Sequence, residues 1–280
     1  AETPVAQIGD KTYTDLGTAF SEAQEDDIIK LLSDITLTNP VEIRKNETDK
    51  ISFTLNLNGQ KISAPGTVLD IYNSDITIEN GTIETTRSDG KSGSAIWVNQ
   101  NVNLNIADNA VVNAAGTEGA NFGVAVYYGC NNINVTINGE LTGSNGLTIN
   151  GQVTKENNVS VAINGKVDVT HTAVYLAGYG DTSVNSSAYI KGNTGIEIRA
   201  GELTVNGGTI AGGNSYSSAE DSNGPTVFGA GIAVSQHTTN QNIDVRINRG
   251  NISGAVALAQ EALQSGNNAD QVKIDVAGGS

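Results

Sequence analysis

A short pattern recurs along this chain: alternating apolar residues lead into Asn-Gly, and another apolar residue follows within a few positions. The corner asparagines are Asn58, Asn80, Asn138, Asn164, Asn206 and Asn248, the last with Arg249 between it and the glycine. Their period lies in the twenties, with a degenerate corner at Asp108-Asn109 and two longer gaps of 42 residues. A period of this length with insertions at fixed places is typical of a solenoid.

Asn-Gly also suits a type I′ hairpin, which would predict an antiparallel meander or sandwich. A hairpin needs two strands of matching length around each Asn-Gly. Here, as from Ile137 to Gly151, a second and a third apolar segment follow before the pattern returns. We therefore favour parallel coils, with the antiparallel sandwich as the alternative, and expect the corner amides to stack along the coil axis. The gap between Asn164 and Asn206 predicts an extra coil with its corner near 189–192.

Residues 1–50 differ from the rest and are interpreted as an N-terminal cap. Leu16, Ala19, Phe20 and Ala23 fall at helical spacing, which predicts a helix over about 14–25 with Thr14 or Asp15 as N-cap. The first strands are expected at 28–32 and 35–37. Residues 51–280 are expected to form the repetitive body.

The end of the chain has a pattern of its own. Residues 257–265 (ALAQEALQS) predict a short helical excursion, and 272–276 predict another strand. A last strand without an amphipathic cap leaves an open edge. We expect either that the protein continues there or that this edge meets another chain.

Composition narrows the classes of partner. The chain carries 15 Lys+Arg against 30 Asp+Glu, a net charge of −15, which disfavours nucleic acid and anionic membranes. No apolar run approaches the ~20 residues that span a bilayer. With one Cys, no intrachain disulfide can form, and Cys130 between Gly129 and Asn131 indicates a structural turn residue rather than a nucleophile. The absence of Met and the start at Ala1 suit the mature side of a signal-peptide cut, so we expect an extracellular protein, secreted or attached to the cell wall.

The helical segment LGTAFSEA, the following DIIKLLSDITL and the repeated Asn-Gly coils resemble the right-handed parallel β-helix, or pectate-lyase-like, superfamily. More narrowly, they resemble modules of large secreted or wall-attached bacterial proteins. The resemblance covers nearly the whole chain and implies an all-β fold, a single-stranded parallel β-helix of about nine coils with a short capping helix. Its motifs specify the fold rather than any chemistry.

One sheet face concentrates aromatic residues. On the strands that follow each corner, the inward pairs are expected at Leu69/Ile71, Ile96/Val98, Val124/Val126, Leu147/Ile149, Val174/Leu176, Ile196/Ile198, Ile232/Val234 and Val256/Leu258. Because side chains alternate along a strand, the outward columns become Asp70, Trp97, Ala125, Thr148, Tyr175, Glu197, Ala233, Ala257 and Tyr72, Asn99, Tyr127, Asn150, Ala177, Arg199, Ser235, Ala259. The insertions 85–93, 114–122 and 212–229 all enter just before this strand.

Exposed rings on a flat sheet can stack on sugars while nearby amides and charges bind hydroxyls. We therefore expect a non-catalytic, adhesin-like or glycan-binding module that also acts as a rigid spacer, with a polysaccharide or a host or cell-surface glycoprotein as partner. The expected ligand-binding residues are Tyr72, Trp97, Asn99, Tyr127, Asn150, Tyr175, Glu197, Arg199, Tyr216, Glu220 and Asp221. The structural alternative is that the long loops cover these rings and the rings merely pack.

A polysaccharide lyase or glycoside hydrolase is the second hypothesis. Asp70 and Glu197 lie five coils apart, roughly 24 Å at the spacing of strands, too far for an acid–base pair. Glu197 and Arg199 are expected to form a surface ion pair. His171 and His237 are expected to be separate, solvated turn residues. We expect no cofactor, with calcium on loop groups such as Asp89, Glu118, Glu220 and Asp221 as the open alternative.

Overall fold

A computed structural model describes residues 2–89, 91, 93–116, 121–221, 224–261 and 267–280. Strands account for 56% of it and helices for 5%, so the protein is all-β. The first fifteen strands are β1 (Ala6–Ile8), β2 (Lys11–Tyr13), β3 (Asp27–Leu31), β4 (Ile35–Thr36), β5 (Val41–Ile43), β6 (Ile51–Asn56), β7 (Lys61–Ala64), β8 (Leu69–Ile71), β9 (Ser74–Glu79), β10 (Gly81–Thr85), β11 (Gly93–Val98), β12 (Val102–Ile106), β13 (Ala110–Ala114), β14 (Asn121–Val126) and β15 (Ile133–Ile137). The expected first strands are therefore confirmed.

The remaining strands continue the same rhythm of short segments. They are β16 (Glu140–Gly143), β17 (Asn145–Ile149), β18 (Val159–Ile163), β19 (Lys166–Val169), β20 (Thr172–Leu176), β21 (Asp181–Val184), β22 (Tyr189–Lys191), β23 (Thr194–Ile198), β24 (Gly201–Ala211), β25 (Ser217–Asp221), β26 (Gly224–Phe228), β27 (Ala230–Val234), β28 (Ile243–Ser253), β29 (Val256–Gln260) and β30 (Val272–Val276). The expected extra coil is present, but residues 189–191 form strand β22 rather than its corner, and the corner lies earlier, at Asn185.

Helical structure is confined to one short helix and two 3-10 turns in the described residues. Helix α1 spans Leu16–Glu22, and the turns span Lys155–Asn157 and Ala269–Gln271. Asp15 is the N-cap of α1, because its Oδ2 accepts the backbone N–H of Thr18 at 2.7 Å. The helix is shorter than expected and ends before Ala23, whose ψ of 138° is extended.

The strands form long parallel ladders, and from β3 to β21 each strand pairs with the third strand after it. Strands β5, β8, β11, β14, β17, β20, β23, β27 and β29 make a nine-stranded parallel sheet. A nineteen-stranded sheet contains two further ladders, which begin with β3–β6–β9 and β4–β7–β10 and merge in the long strands β24 and β28. Only β1–β2, β1–β3 and the hairpin β25–β26 are antiparallel among the described pairs. The ladders are compatible with a solenoid and exclude the antiparallel meander.

The register of the nine-stranded sheet follows the predicted apolar alternation. Ile96 pairs with Leu69 and Val124, and Leu147 continues the row to Val174. The inward residues of these strands are buried in one hydrophobic cluster that extends from Ala6 to Ile247. The alternation of apolar and polar residues therefore decides which face of each strand packs inside.

Corner asparagines form a hydrogen-bonded ladder, as expected. Asn164 Nδ2 donates to Asn138 Oδ1 at 2.8 Å, and Asn185 Nδ2 donates to Asn164 Oδ1 at 2.7 Å. The series continues through Asn206 at 3.4 Å and Asn248 at 3.1 Å. Asn185 belongs to the extra coil and has no Gly after it, so the amide alone carries the ladder there.

A second asparagine corner was not predicted. Just before the next strand begins, the chain adopts a left-handed conformation at Asn73, Asn101, Asn132, Asn158 and Asn240, with φ between 47° and 56°. Asparagine tolerates this region better than other residues with a side chain. Asn158 Nδ2 also donates to Asn132 Oδ1 at 3.0 Å. Asparagines thus mark two corners of the repeat.

Two expectations at the C-terminal end are wrong. Residues 256–260 are strand β29, not the start of a helix, and 262–266 lie outside the described residues. The register of β29 is also displaced by two, because Ile232 pairs with Leu258 and Ala233 with Ala259. The outward column that contains Ala233 therefore continues through Ala259 rather than Ala257. The hydrogen-bonded pairing with β27 fixes this register, which the similar small residues at 257 and 259 could not.

Candidate functional site

The outward face of the nine-stranded sheet carries a groove of about 660 Å³ over β11, β14, β17 and β20. Ala125 and Thr148 form its floor between Trp97 and Tyr175. Strands are spaced about 4.8 Å apart, so the three steps from Trp97 to Tyr175 correspond to roughly 14 Å. Small side chains between two aromatic ones leave the space that the groove occupies.

Two groups of rings flank this floor. Trp97 and Tyr127 are stacked with centroids 5.2 Å apart, and the Tyr127 and Tyr128 centroids are 4.2 Å apart. On the other side, Phe122 stacks with Tyr175 at 6.4 Å. Tyr128 is 49% exposed, which leaves part of an aromatic face open to solvent. The sequence analysis predicted Trp97, Tyr127 and Tyr175. It missed Phe122, which lies on β14, and Tyr128, which directly follows Tyr127 just after that strand.

Polar groups form one rim of the groove. Asn150, Gln152, His237 and Thr239 all line it. Asn150 Oδ1 accepts the backbone N–H of Gln152 at 3.0 Å, and His237 Nδ1 accepts that of Thr239 at 3.1 Å. Asn150 and Gln152 are exposed, so their side chains can reach a ligand.

His237 is buried rather than solvated, so its expected environment is wrong. Its ring packs against Gly151, where an added Cβ would lie 2.5 Å from Nε2. Gln241 anchors the same loop, because its Nε2 donates to the Val153 carbonyl at 2.9 Å across 88 residues of sequence. The loop after β27 therefore folds back over the sheet. The sequence carried one signal of this position: His237 stands two residues after Ser235 and so continues the same outward alternation.

Glu197 and Arg199 do not form a surface pair. Both side chains are 1% exposed, with Arg199 Nη2 at 3.1 Å from Glu197 Oε1. Arg199 lies over the Tyr175 ring at 5.1 Å and contacts Thr226 Oγ1 at 3.4 Å, on the hairpin β25–β26. The long insertion thus covers this end of the face, as the structural alternative anticipated for the rings. The buried pair closes the groove beside Tyr175.

The opposite end of the face is also polar. Asn99 is buried and donates to Asp70, and burial raises the pKa of the Asp70 carboxyl. Tyr72 lies under Arg44, whose guanidinium carbon is 3.7 Å from the ring centroid. Asp70 and Trp97 line a smaller cavity of about 320 Å³. Tyr72 and Asn99 therefore lie outside the larger groove.

The loop candidates are separate from the groove. Tyr216 is 40% exposed and donates to Glu261, and Glu220 is exposed on β25. Asp221 is placed by its backbone at the end of β25, opposite Gly224. Glu118 lies outside the described residues.

Neither a group of metal-binding residues nor a reactive thiol is evident among the described residues. No group of three or more His, Cys, Asp or Glu in this part of the chain could hold a metal ion. Cys130 is buried, and desolvation raises the pKa of its thiol to about 11. Such a thiol stays protonated near neutral pH and is a poor nucleophile.

No helix among the described residues is long and apolar enough to cross a membrane.

Comparison with known proteins leaves the site to be interpreted from its geometry. No family model, curated protein or solved structure matches this chain. The groove combines aromatic walls, a floor of small residues and an amide-bearing rim, and it is larger than the cavity that Asp70 and Trp97 line. This arrangement can hold a flat ligand that has both apolar faces and hydroxyl groups.

Proposed function

We propose that the three ladders form a right-handed, single-stranded parallel β-helix of about nine coils, of the pectate-lyase-like type. The pairing of each strand from β3 to β21 with the third one after it supports this, as does a sheet of nine parallel strands. We also propose that α1 caps the first coil. Its residues Leu16, Ala19 and Phe20 are buried, and the Phe20 ring lies 5.8 Å from that of Phe53.

We propose that the groove binds a glycan and that the protein is a non-catalytic, adhesin-like module. The observation that carries the proposal is the pair of aromatic stacks on either side of the Ala125–Thr148 floor. Pyranose rings present C–H faces that pack on aromatic rings, while their hydroxyls hydrogen-bond to amides. Asn150 and Gln152 supply such amides at the rim.

Charge favours a neutral glycan over an acidic one. None of the lining residues that the structure describes is Asp, Glu, Lys or Arg. The ion pair of Glu197 with Arg199, beside Tyr175, is buried and neutralises itself. The net charge of −15 adds a repulsive field for polyuronic or sulfated chains. A neutral hexose polymer avoids this repulsion.

We further propose an extracellular location, secreted or attached to the cell wall, where the stacked strands also act as a rigid spacer. With Cys130 as the single cysteine, the fold depends on no intrachain disulfide. The partner is then a polysaccharide or a surface glycoprotein. Surface labelling of intact cells tests the location, and labelling only after lysis would contradict it.

Binding is tested with a panel of neutral and acidic polysaccharides, followed by calorimetry on any neutral ligand found. Trp97→Ala and Tyr127→Ala each remove one ring of the larger stack and should weaken binding about tenfold or more, within the range that aromatic anchors contribute. Tyr189→Ala is the matched control, because Tyr189 is 39% exposed on β22 in the other sheet. Unchanged binding by correctly folded Trp97 and Tyr127 variants would defeat the proposal.

One observation favours glycoside hydrolysis as a second candidate. Glu42 on β5 and Asp70 on β8 are register partners, so their strands lie about 4.8 Å apart. Retaining glycosidases hold their two carboxyl groups about 5–5.5 Å apart. Burial raises the pKa of Asp70, the direction that a general acid requires. The sequence analysis missed this pair because it began the column at Asp70.

Hydrolysis is tested by measuring new reducing ends after incubation with the same polysaccharides. Asp70→Asn and Glu42→Gln should each abolish release, whereas Asp244→Asn, a carboxylate on β28, should leave it intact. Release that survives both substitutions would exclude this pair. Unsaturated ends would indicate a lyase instead.

A further inference from the structure

Asn-Gly pairs occur eight times in this chain, and seven of them lie among the described residues. In six of these seven, the side-chain amide of the asparagine donates a hydrogen bond to a residue at least 21 positions earlier in the chain. These six are Asn58, Asn80, Asn138, Asn145, Asn164 and Asn206. Asn150 is the exception, because its Nδ2 donates to no group in the part of the chain that the structure describes.

The backbone nitrogen that follows Asn150 is also unengaged. The Gly151 N–H donates no hydrogen bond to any of the described residues. By contrast, the Gly139 and Gly165 N–H groups donate to carbonyl oxygens of the preceding repeat, at 3.0 and 2.9 Å. A nitrogen held in such a bond has to break it before it can approach the asparagine side chain that precedes it. At Asn150 neither the amide nor the nitrogen has a bond to break.

The carbonyl group of the Asn150 side chain is polarised for attack. Its Oδ1 accepts the backbone N–H of Gln152 at 3.0 Å, and the residue is exposed to solvent. A nucleophile that adds to Cγ places negative charge on Oδ1, where this N–H stabilises it as the donors of an oxyanion hole do. Gly151 has no Cβ to hinder the approach. A Cβ there would lie 2.5 Å from Nε2 of His237, so the packing of the rim itself requires the glycine.

We propose that Asn150 is a site of spontaneous deamidation. The Gly151 backbone nitrogen loses its proton and bonds to Cγ of Asn150, the Cγ–Nδ2 bond breaks, and the amide group leaves with that proton as ammonia. One water molecule then opens the resulting five-membered succinimide. Addition of the water at one carbonyl gives an aspartate at position 150. Addition at the other gives an isoaspartate, in which the main chain runs through the side-chain carbon.

Either product places a carboxylate at the rim of the groove. None of the described lining residues carries a charge, and the Asn150 amide is one of the two donors that we assign to the ligand. The isoaspartate also lengthens the main chain beside Gly151, which packs against His237 without spare room. Modified protein therefore binds a glycan more weakly. This consequence rests on the proposed function, whereas the modification itself does not.

Incubation of the folded protein near neutral pH, followed by tandem mass spectrometry, tests the modification. Asn150 should convert about tenfold or more faster than Asn164, because Asn164 and Gly165 must first break two hydrogen bonds. Asn206 is the closer control, since it is exposed like Asn150 but donates to Asn185 at 3.4 Å. It should also convert more slowly than Asn150.

Denatured protein separates the effect of the fold from that of the sequence. In concentrated urea Asn150, Asn164 and Asn206 should convert at similar rates, because each is followed by glycine. Equal rates in the folded protein would overturn the proposal. An excess at Asn150 that is as large in urea as in the folded protein would overturn it too.

The effect on the groove is tested with the neutral polysaccharide that the unmodified protein binds. Anion exchange isolates the chains modified at residue 150, which carry one more negative charge, and calorimetry compares them with unmodified chains. Their binding should be roughly two- to tenfold weaker, the loss expected for one hydrogen bond. Asn150→Gln keeps an amide but needs a larger ring to cyclise, so its affinity should not change on incubation.

The two measurements fail independently. Equal affinities of modified and unmodified chains would overturn the effect on the groove. If the fresh protein binds none of the polysaccharides, the proposed function fails, and the mass measurement still decides whether Asn150 deamidates.

Discussion

Asn164 donates its side-chain amide to Oδ1 of Asn138 at 2.8 Å, and these two residues lie at the same corner of consecutive repeats. The same hydrogen bond recurs in the next repeat along the chain, where Asn185 Nδ2 donates to Asn164 Oδ1 at 2.7 Å. Each amide in this row therefore both donates and accepts. A side chain that only filled the corner could not replace it.

Asn164→Ala should lower the free energy of unfolding by about 1–3 kcal/mol, because it removes two hydrogen bonds and leaves the half-buried Asn138 Oδ1 and Asn185 Nδ2 without the ladder bond that each makes to Asn164. Urea denaturation measures the change. The control Asn39→Ala, at an exposed position with one long contact to Thr38, should cost much less. Equal losses for the two variants would show that the row contributes nothing of its own.

Gly165→Ala should destabilise the protein by roughly 1–3 kcal/mol, because a Cβ there would lie 2.2 Å from the Gly139 carbonyl oxygen. The glycine is required by the close approach of two corners, not by its backbone angle. Gly129→Ala is the control, since its Cβ would meet only the Tyr127 ring at 3.9 Å. Thermal unfolding of both variants gives the comparison, and a smaller loss at Gly165 than at Gly129 would contradict this explanation.

Arg199→Met should cost about 3–5 kcal/mol, because it leaves the buried Glu197 carboxylate without its cation. Replacing both residues, with Glu197→Leu added, should recover much of that loss. Lys166→Met breaks an exposed pair with Glu140 at 3.0 Å and should cost only about 0–1 kcal/mol. Chemical denaturation of the unmodified protein, the two single variants and the double variant measures these differences in the free energy of unfolding. A double variant no more stable than Arg199→Met would show that the loss is not due to the unpaired charge.

Asp70 should make stability fall as pH rises above its unfolded pKa of about 3.9. Burial raises the folded pKa, so the unfolded chain releases this proton first and the folded state is favoured while the carboxyl stays protonated. The contribution is complete below about pH 3.9 and is lost as pH rises through the folded pKa. Asp70→Asn should remove this part of the pH dependence in denaturation series. An unchanged pH profile would contradict the assignment to Asp70.

Much of the fold follows from the alternation of apolar residues, since Leu69, Ile96, Val124, Leu147 and Val174 lie in the predicted row. The stacking of amides at the Asn-Gly corner was also predicted from the sequence. The second corner was missed because its asparagines are not followed by Gly. Three of them, Asn101, Asn132 and Asn158, are followed directly by the apolar residue that opens the next strand, whereas Asn73 is followed by Ser74.

The site was predictable where it depends on the strand and unpredictable where it depends on loops. Trp97, Tyr127 and Tyr175 follow from alternation on their own strands. The burial of Arg199 depends on a hairpin that returns from residues 217–228, and that of His237 on a loop that reaches Val153. Contacts across such separations depend on how far each insertion folds back, and local periodicity carries no information about this.

Each strand of a ladder pairs only with the neighbouring strands of that ladder, and this affects how the protein unfolds. Cooperativity weakens with distance along such a ladder, so unfolding proceeds inward from the two termini. The aromatic groove lies on β11 to β20, well inside both ends. Backbone amides of these strands should exchange with solvent later than those of β1 or β30. Ligand recognition would then outlast the melting of the outer coils.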